Sequence, residues 1–547
     1  MIVTGCNNDA AQEEKTATKS EESATAQAQQ TQEEEPEAEA AGGFVPLENE
    51  IDLVWAMPNG RNAPEGNQLE AHLIEVVKDA LNINLDIKLL AADTYKEKIN
   101  IMITGGEQLD YFMAPDFNVF VDYAYGGGLA DITDAYNEFK TYLDWLVKSD
   151  SPDDITVEQI LQPATIDGRL YGIGLYFKPG TESFLFRKDW LESLGYNQFS
   201  DWDTMDADTF YEIAQAMRDG DMNGSGDASN TVAMVSTAGA IYESQLLNSP
   251  FDVQYGKYLA RDGEMIYSDV DSNMRDCLEF IAKLYDEGLI HTDAPVMTGS
   301  QATELAVQGK LGIYEGWWIG RWQLMKTYKM AEVTPGAEWL EIGAITGTEN
   351  IGVNGIGGTA GQPLLNQVHA VPKASEYVRE AVMLTAFLYN DQEAYRTITY
   401  GVPGVHHTYE NETITLTEAG QEIAAANWMT QYRKIEHHVV NPNLPGEVSI
   451  IDTKFGEYGP DLTNASAHCY YWDLLYGIST EASLEYTADL NTYRDEVFQK
   501  ITSGAASIEL FDEWVEFWKQ NGGEEILAQG TEEYNKRNGT SLTPKSY

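Results

Sequence analysis

"IDLVWAMPNG" (residues 51–60) and, after a short polar gap, "NQLEAHLIEVVKDALNINLDIKLL" (67–90) decide the fold. The first alternates apolar residues and ends in a turn, and the second reads as an amphipathic helix leading into another strand. Strand, helix and strand in immediate succession predict a parallel sheet with helices on its faces. The alternation continues outward. "TYKEKINIMITGG" (94–106) is a helix closed by Gly105 and Gly106, and "LDYFMAPD" (109–116) is a buried strand. The carboxyl end of that strand carries Ala114-Pro115-Asp116, the edge at which open α/β sheets bind ligands.

A second set of units starts at "GRLYGIGLYF" (168–177) and "TESFLFRKDWLESLG" (181–195), a strand running into a helix capped by Gly195. Asp206 caps the next helix, on which Phe210, Ile213, Ala214 and Met217 form one apolar face. Further on, "HAVPKASEYVREAVMLTAFLY" (369–389) reads as an extended piece, a Pro-Lys turn and a long amphipathic helix. No internal repeat occurs. A chain of 547 residues is too long for one ordinary core and suits two lobes, which create a cleft between them.

Acidic residues outnumber basic ones 88 to 34, a net charge of −54. Such a field repels nucleic acid and anionic lipid headgroups, so neither is the expected partner. With 31 Tyr, 17 Phe and 12 Trp the body is nonetheless folded and aromatic-rich. The three cysteines, Cys6, Cys277 and Cys469, imply no disulfide framework, and any bridge would join the last two. Residues 7–43 are rich in Ala, Glu, Gln, Thr and Ser and contain no aromatic, so they read as a disordered acidic linker. No run of 18 apolar residues follows, so no spanning helix is expected.

"IVTGC" (2–6) resembles the end of a bacterial lipoprotein signal, in which the cysteine is lipidated and becomes the mature N-terminus. That resemblance makes Cys6 the expected lipid-bearing residue and places the missing charged start and apolar run upstream. Taken in order, "LYGIGLYF", "FLFRKDWLESLGY", "WDTMDADTFYEIAQAMRDGDMNGSGD", "YDEGLIHTDA", "VQGKLGIYEGWW", "YGVPGVHHTY" and "EEILAQGTEEYNKRNG" resemble the extracellular solute-binding proteins of carbohydrate ABC importers, the maltose-binding type among them. The resemblance implies an α/β, two-lobe periplasmic-binding-protein-like fold (type II) with hinged lobes. It also implies crossovers near Leu175 and His369. Lobe one would then hold residues 46–174 and 369–410, and lobe two residues 175–368 and 411–547, after a signal end and linker over 1–45. The implied function is capture of an oligosaccharide and delivery to membrane permease subunits, by a monomer held at the outer face of the cell membrane through its lipid.

In "EGWWIGRW" (315–322), Trp317 and Trp318 stand at a strand's carboxyl end and at the entry to a helix. Helical neighbours point about 100° apart, so one of the pair can face a cleft while the other packs. By resemblance this is where a Trp stacks on sugar, with preference for Trp317; Trp322 reads as core. An indole matches the apolar C–H face of a pyranose, and polar side chains serve its hydroxyl rim. Further candidates at matching positions are Trp55, Asn59, Asp116, Tyr176, His406, Tyr471 and Trp472. Pro403 stands where the family places an acid, which weakens any role there.

"DGDMNGSGD" (219–227) sets Asp219, Asp221, Asn223, Ser225 and Asp227 at positions 1, 3, 5, 7 and 9 of an EF-hand-like loop, with Gly224 at position 6. These oxygens suit a structural Ca²⁺. Position 12, however, is Asn230, and Ala228 replaces the acid that related alginate-binding receptors carry, so weak affinity is expected. The alternatives are a surface glycoside-active enzyme and a receptor for a peptide or a polyanionic sugar. The sequence holds no HExxH, GxSxG or GxxxxGK[ST], and 88 acids make carboxylate pairs uninformative. The net charge argues against an acidic ligand unless a local basic patch or Ca²⁺ compensates.

Overall fold

The computed structural model describes residues 44–148, 155–176, 182–236, 240–317, 319–353, 355–361, 365–411, 413–426, 428–434 and 461–547, with positions 151, 441, 444 and 458 between them. Cys6, the acidic linker and Trp318 lie outside the described residues.

Strand β1 (Ile51–Asn59), helix α1 (Gln68–Leu81) and strand β2 (Ile83–Ala91) form the opening unit, with β1 and β2 paired in parallel along their whole length. Asn67 caps α1 by accepting from Glu70 N, and Asn82 ends it in the left-handed region. Leu69, Leu73, Val76, Val77 and Leu81 form its buried stripe. There follow α2 (Tyr95–Gly105), β3 (Tyr111–Met113), α3 (Phe117–Tyr125), α4 (Thr133–Val147) and β4 (Gly172–Tyr176).

The chain then enters a second body with β5 (Glu182–Arg187), α5 (Lys188–Leu194), β6 (Asp203–Asp206), α6 (Ala207–Asp219), β7 (Val232–Ser236), α7 (Ser272–Asp286), α8 (Gly299–Val307), β8 (Leu311–Trp317), β9 (Trp339–Thr346) and β10 (Thr359–Gly361). It returns through β11 (Leu365–Ala370), α9 (Val378–Asn390) and α10 (Gln392–Tyr400). Strand β12 (Cys469–Trp472) and helices α11 (Glu481–Thr502), α12 (Leu510–Gln520) and α13 (Gly523–Asn538) complete the second body. Asp206 caps α6 by accepting from Thr209 N at 2.8 Å, with Phe210, Ile213, Ala214 and Met217 buried.

Each lobe is built on a five-stranded sheet, in order β2-β1-β3-β11-β4 and β6-β9-β5-β8-β7, and β10 pairs in parallel with β12. Two large separate cores result. One gathers Leu53, Phe112, Leu143, Leu384 and Phe387, and the other Phe184, Phe210, Met274, Trp514 and Trp518.

The lobe boundary falls differently from the one read off the sequence. Leu175, Tyr176, Leu365 and Val368 belong to the first core, because β4 and β11 are hydrogen-bonded neighbours within its sheet. Ile423, Tyr432 and Leu444 also pack there, so these described residues after 410 stay in lobe one, and the described chain is packed on lobe two again at Tyr458 and Asp461. Helix α9 differs too. Every residue from Ala381 to Asn390 is buried, since α9 lies between α4 and α10 and has no solvent face. Its end is tied to α4 by Trp145 Nε1 donating to Asn390 Oδ1 (3.1 Å) and Asn390 Nδ2 donating to Tyr142 O (2.9 Å). Cys277 lies in the second core and Cys469 on β12, and both are free thiols.

Candidate ligand-binding cleft

Strand direction identifies the edges that face each other. Strand β4 leaves lobe one at its carboxyl end, and β1 and β3 run parallel to it, because β11 is antiparallel to both β3 and β4. Strand β5 enters lobe two at its amino end; β8 and β9 run antiparallel to it, with β7 and β6 parallel to those. The carboxyl ends of β1, β3 and β4 therefore point toward lobe two, and those of β6, β7, β8 and β9 toward lobe one. A third passage follows β12. Leu474 N donates to Tyr258 O in lobe two, whereas Tyr476 stacks on Phe117 of α3 with centroids 4.4 Å apart and donates its hydroxyl to Leu365 O.

Trp317 is the last residue of β8, opposite Glu182 at the start of β5. Residues Leu311–Gly316 are buried, but Trp317 is 55% exposed at the lobe-facing edge. What fixes this edge is Arg321, one turn further on. Its guanidinium donates to Asp201 Oδ2 (2.7 Å) and to Asp461 (2.9 and 3.0 Å), and it lies 3.4 Å from the fully buried Glu341 on β9. Ser183 Oγ completes the cluster by donating to Glu341 Oε2 at 2.7 Å. Burial, and then the neighbouring Asp461, push the Glu341 carboxyl well above the usual range against the pull of Arg321; Asp461 is raised by burial as well. Arg321 passes for a surface cation in the sequence, because two of its partners lie 120 and 140 residues away.

Strand β12 contributes the second exposed platform. Alternation turns Tyr471 inward against Leu259 and Ile266, its hydroxyl donating to Ser249 O, and leaves Tyr470 and Trp472 on the opposite face at 44% and 41% exposure. Behind Tyr470, His468 stacks on Trp202 with centroids 6.2 Å apart, and Trp202 holds a left-handed backbone (φ 69°) that a bulky residue rarely adopts. Trp322 is half-buried against the same cluster, near Ala465 and Trp202.

Of the remaining candidates, Trp55, Tyr176, His406 and Tyr471 are buried, whereas Asn59 and Asp116 stand at strand ends as read. Trp55 is 2% exposed in the core of lobe one, its ring 6.2 Å from Tyr111 and 6.3 Å from His369. It sits mid-strand, where β2 and β3 flank it, rather than at the strand's end. Tyr176 is likewise sealed in that core. Asn59 stands at the correct edge, but both ends of its amide hold the turn that follows: Nδ2 donates to Ala63 O and Oδ1 accepts from Ala63 N. Asp116 caps α3 by accepting from Val119 N and keeps a half-exposed carboxylate 3.7 Å from Lys96. His406 is buried and accepts from Val402 N through Nδ1, which pins the 401–406 turn; burial lowers its pKa. Tyr471 is the inward residue described above. Trp317 and Trp472, with the half-exposed Asp116, are thus the candidates that the described structure leaves accessible at these edges.

The 219–227 loop turns as expected, with Gly224 and Gly226 at positive φ, but its acids do not converge. Asp219 is turned onto Arg218, accepting from Nε and Nη2 at 2.7 and 3.0 Å. Asp221 accepts from Ser225 N and Gly226 N, and Asn223 from Ser225 N. Asp227 caps a short turn by accepting from Ser229 N. The donor chemistry suits a hard cation, while the arrangement is a self-contained turn. Among the described residues no three His, Cys, Asp or Glu side chains are grouped to hold a metal, and no helix is long and apolar enough to cross a membrane.

No family model matches the chain. Two proteins of Bacillus subtilis (strain 168) are similar along most of it. Lipoprotein LipO is 21% identical over 481 residues, 85% of this chain and 89% of its own length. Polygalacturonan/rhamnogalacturonan-binding protein YtcQ is 23% identical over 474 residues, 84% and 87% respectively. Among solved structures, alginate-binding protein AlgQ2 without calcium ion gives a TM-score of 0.64 at 15% identity, over 90% of this chain and 100% of that one. An HMO-binding, ABC-transporter-associated solute-binding protein from Bifidobacterium longum infantis gives 0.64 at 15%, over 89% and 99%. The S. pneumoniae substrate-binding protein FusA, as an EF-hand mutant in complex with fructo-nystose, gives 0.63 at 15%, over 89% and 99%. The fold is therefore that of the two-lobe solute-binding proteins of ABC importers, shared along nearly the whole chain.

Proposed function

We propose that this protein captures an oligosaccharide between its lobes and delivers it to the permease of an ABC importer without altering it. The observation that carries this reading is the pair of exposed indoles, Trp317 and Trp472, on strands whose carboxyl ends point at the opposite lobe. Large apolar rings kept exposed at these strand ends favour a ligand with an apolar face. The ligands named for YtcQ, AlgQ2 and FusA are all carbohydrates, which supports that class. Each lobe offers a half-site, and a ligand that touches both stabilises the closed arrangement by its differential contacts. The test is titration calorimetry against an oligosaccharide panel, followed by product analysis. Saturable, stoichiometric binding with the sugar recovered intact supports a receptor; turnover at low protein concentration would establish the glycoside-active alternative.

Two further parts belong to the same reading. Cys6 carries the lipid that holds the protein at the outer face of the cell membrane, and Cys6→Ala is expected to release it into the medium. The 219–227 loop binds Ca²⁺ weakly, because the ion has to replace the Arg218 contacts of Asp219. The melting temperature is then expected to rise with calcium only in the range of about 0.1–1 mM. Saturation at micromolar calcium, or no response, would refute this.

A further inference from the structure

Strand β12 falls out of step with its partner at one residue. Thr359 faces Cys469 and Ala360 faces Tyr471, so Tyr470 is an extra residue in the ladder, a bulge. An insertion of this kind re-aims a side chain and leaves its backbone outside the regular pairing. The side chain turned outward here is a tyrosine, two positions before Trp472 on the same exposed face. Its ring is held from behind. His468 meets it edge-on, with centroids 6.3 Å apart and planes at 71°, and stacks in turn on Trp202. Two glycines make the room: a Cβ at Gly343 on β9 would lie 2.6 Å from the His468 imidazole, and one at Gly358 would lie 2.6 Å from Cδ2 of Tyr470. A ring fixed in this way loses little conformational freedom when a ligand covers it.

The polar tips separate these rings from their inward neighbours. The Tyr471 hydroxyl donates to Ser249 O, and Trp202 Nε1 donates to Asp461 Oδ1 at 3.4 Å. The Tyr470 hydroxyl and the indole N–H groups of Trp472 and Trp317, by contrast, donate to nothing among the described residues. A flat apolar face with an unspent donor at its rim matches a sugar ring twice, through the C–H face and through the hydroxyls. Two residues along a strand span roughly 6–7 Å, so Tyr470 and Trp472 stand side by side along β12.

We propose that Tyr470 and Trp472 form a two-ring platform for consecutive sugar units, and that Tyr470 is the residue through which the protein discriminates by chain length. The inference rests on the receptor reading above and specifies what that cleft selects. A monosaccharide can cover only one of the two rings. In a longer chain the second unit is already tethered to the first. It meets its ring without a second loss of translational freedom, and its contact adds directly to affinity.

The test is calorimetry on the full chain with malto-, xylo-, manno-, fructo- and galacturono-oligosaccharides of one to five units. In a series that binds, affinity is expected to rise at least about tenfold between one unit and three. Tyr470→Ala is expected to cut that gain to less than about threefold with the melting temperature unchanged, and Tyr470→Phe, which keeps the ring, to retain most of it. Should the alanine variant melt early, Tyr470→Leu fills the space against His468 without an aromatic face and reads the same loss. Affinity that does not change with chain length, or a length dependence that survives both the alanine and the leucine substitution, would overturn the platform and leave the receptor reading standing. If no series binds at any length, the receptor reading falls and the platform with it.

Discussion

Trp317 and Trp55 show how far single residues can be read. Both are tryptophans on β-strands at positions that match the family's cleft, and the stacking role belongs by resemblance to Trp317. The structure leaves Trp317 more than half exposed at the end of β8 and seals Trp55 in the middle of β1. The strand end at Trp317 was legible from the helix entry after it; the sealing of Trp55 was not, because it depends on β2 and β3 flanking β1 on both sides. Trp317→Ala should therefore weaken oligosaccharide binding about 5- to 30-fold with no loss of melting temperature, measured by calorimetry and thermal unfolding. His369 supports a second prediction. Its folded pKa is about 3 against an ordinary value near 6.5, so the unfolded chain takes up a proton that the folded chain does not. Its stabilising contribution is complete above about 6.5 and declines by roughly 1.4 kcal/mol per pH unit as the pH falls toward 3. His369→Gln should flatten the urea-derived stability profile over that interval.

Among the elements, the helices and strands with strong periodicity were read correctly where their burial is one-sided, as in α1 and α6. Helix α9 was read as amphipathic because Tyr377, Arg379 and Glu380 mark its first turn as polar, while the rest is enclosed by α4 and α10. The carboxylate cluster around Arg321 had no local signal at all, since it joins the loop before β6, strand β9 and the first residue of the helix Asp461–Ser466. Removing the guanidinium leaves Glu341 and Asp461 buried together. Arg321→Leu is expected to cost about 3–5 kcal/mol in urea unfolding at neutral pH. Both acids already have raised pKa values and take up protons as the pH falls. The deficit of the variant should accordingly shrink in mildly acidic buffer, and a constant deficit would rule out charge as its cause.

For the molecule as a whole, two cores connected by three passages of chain imply two partly independent melting units. Calorimetry of the ligand-free protein is expected to show unfolding that is broader than a single two-state transition, and a bridging oligosaccharide should draw the transitions together and raise both. The two-lobe plan was legible from length and from the strand–helix order. The boundary was not, because Ile423 and Tyr432, after residue 410, stay with lobe one through contacts far apart in sequence.

The parallel pairing of β10 with β12 carries one more implication. Strand β10 precedes the return into lobe one, and β12 presents Trp472, with Gly361 opposite Trp472 in the ladder. Any swing of one half against the other is thereby transmitted to an indole that already samples solvent. The emission of Trp472 should shift in wavelength on ligand capture, giving the molecule a built-in optical gauge that needs no attached dye.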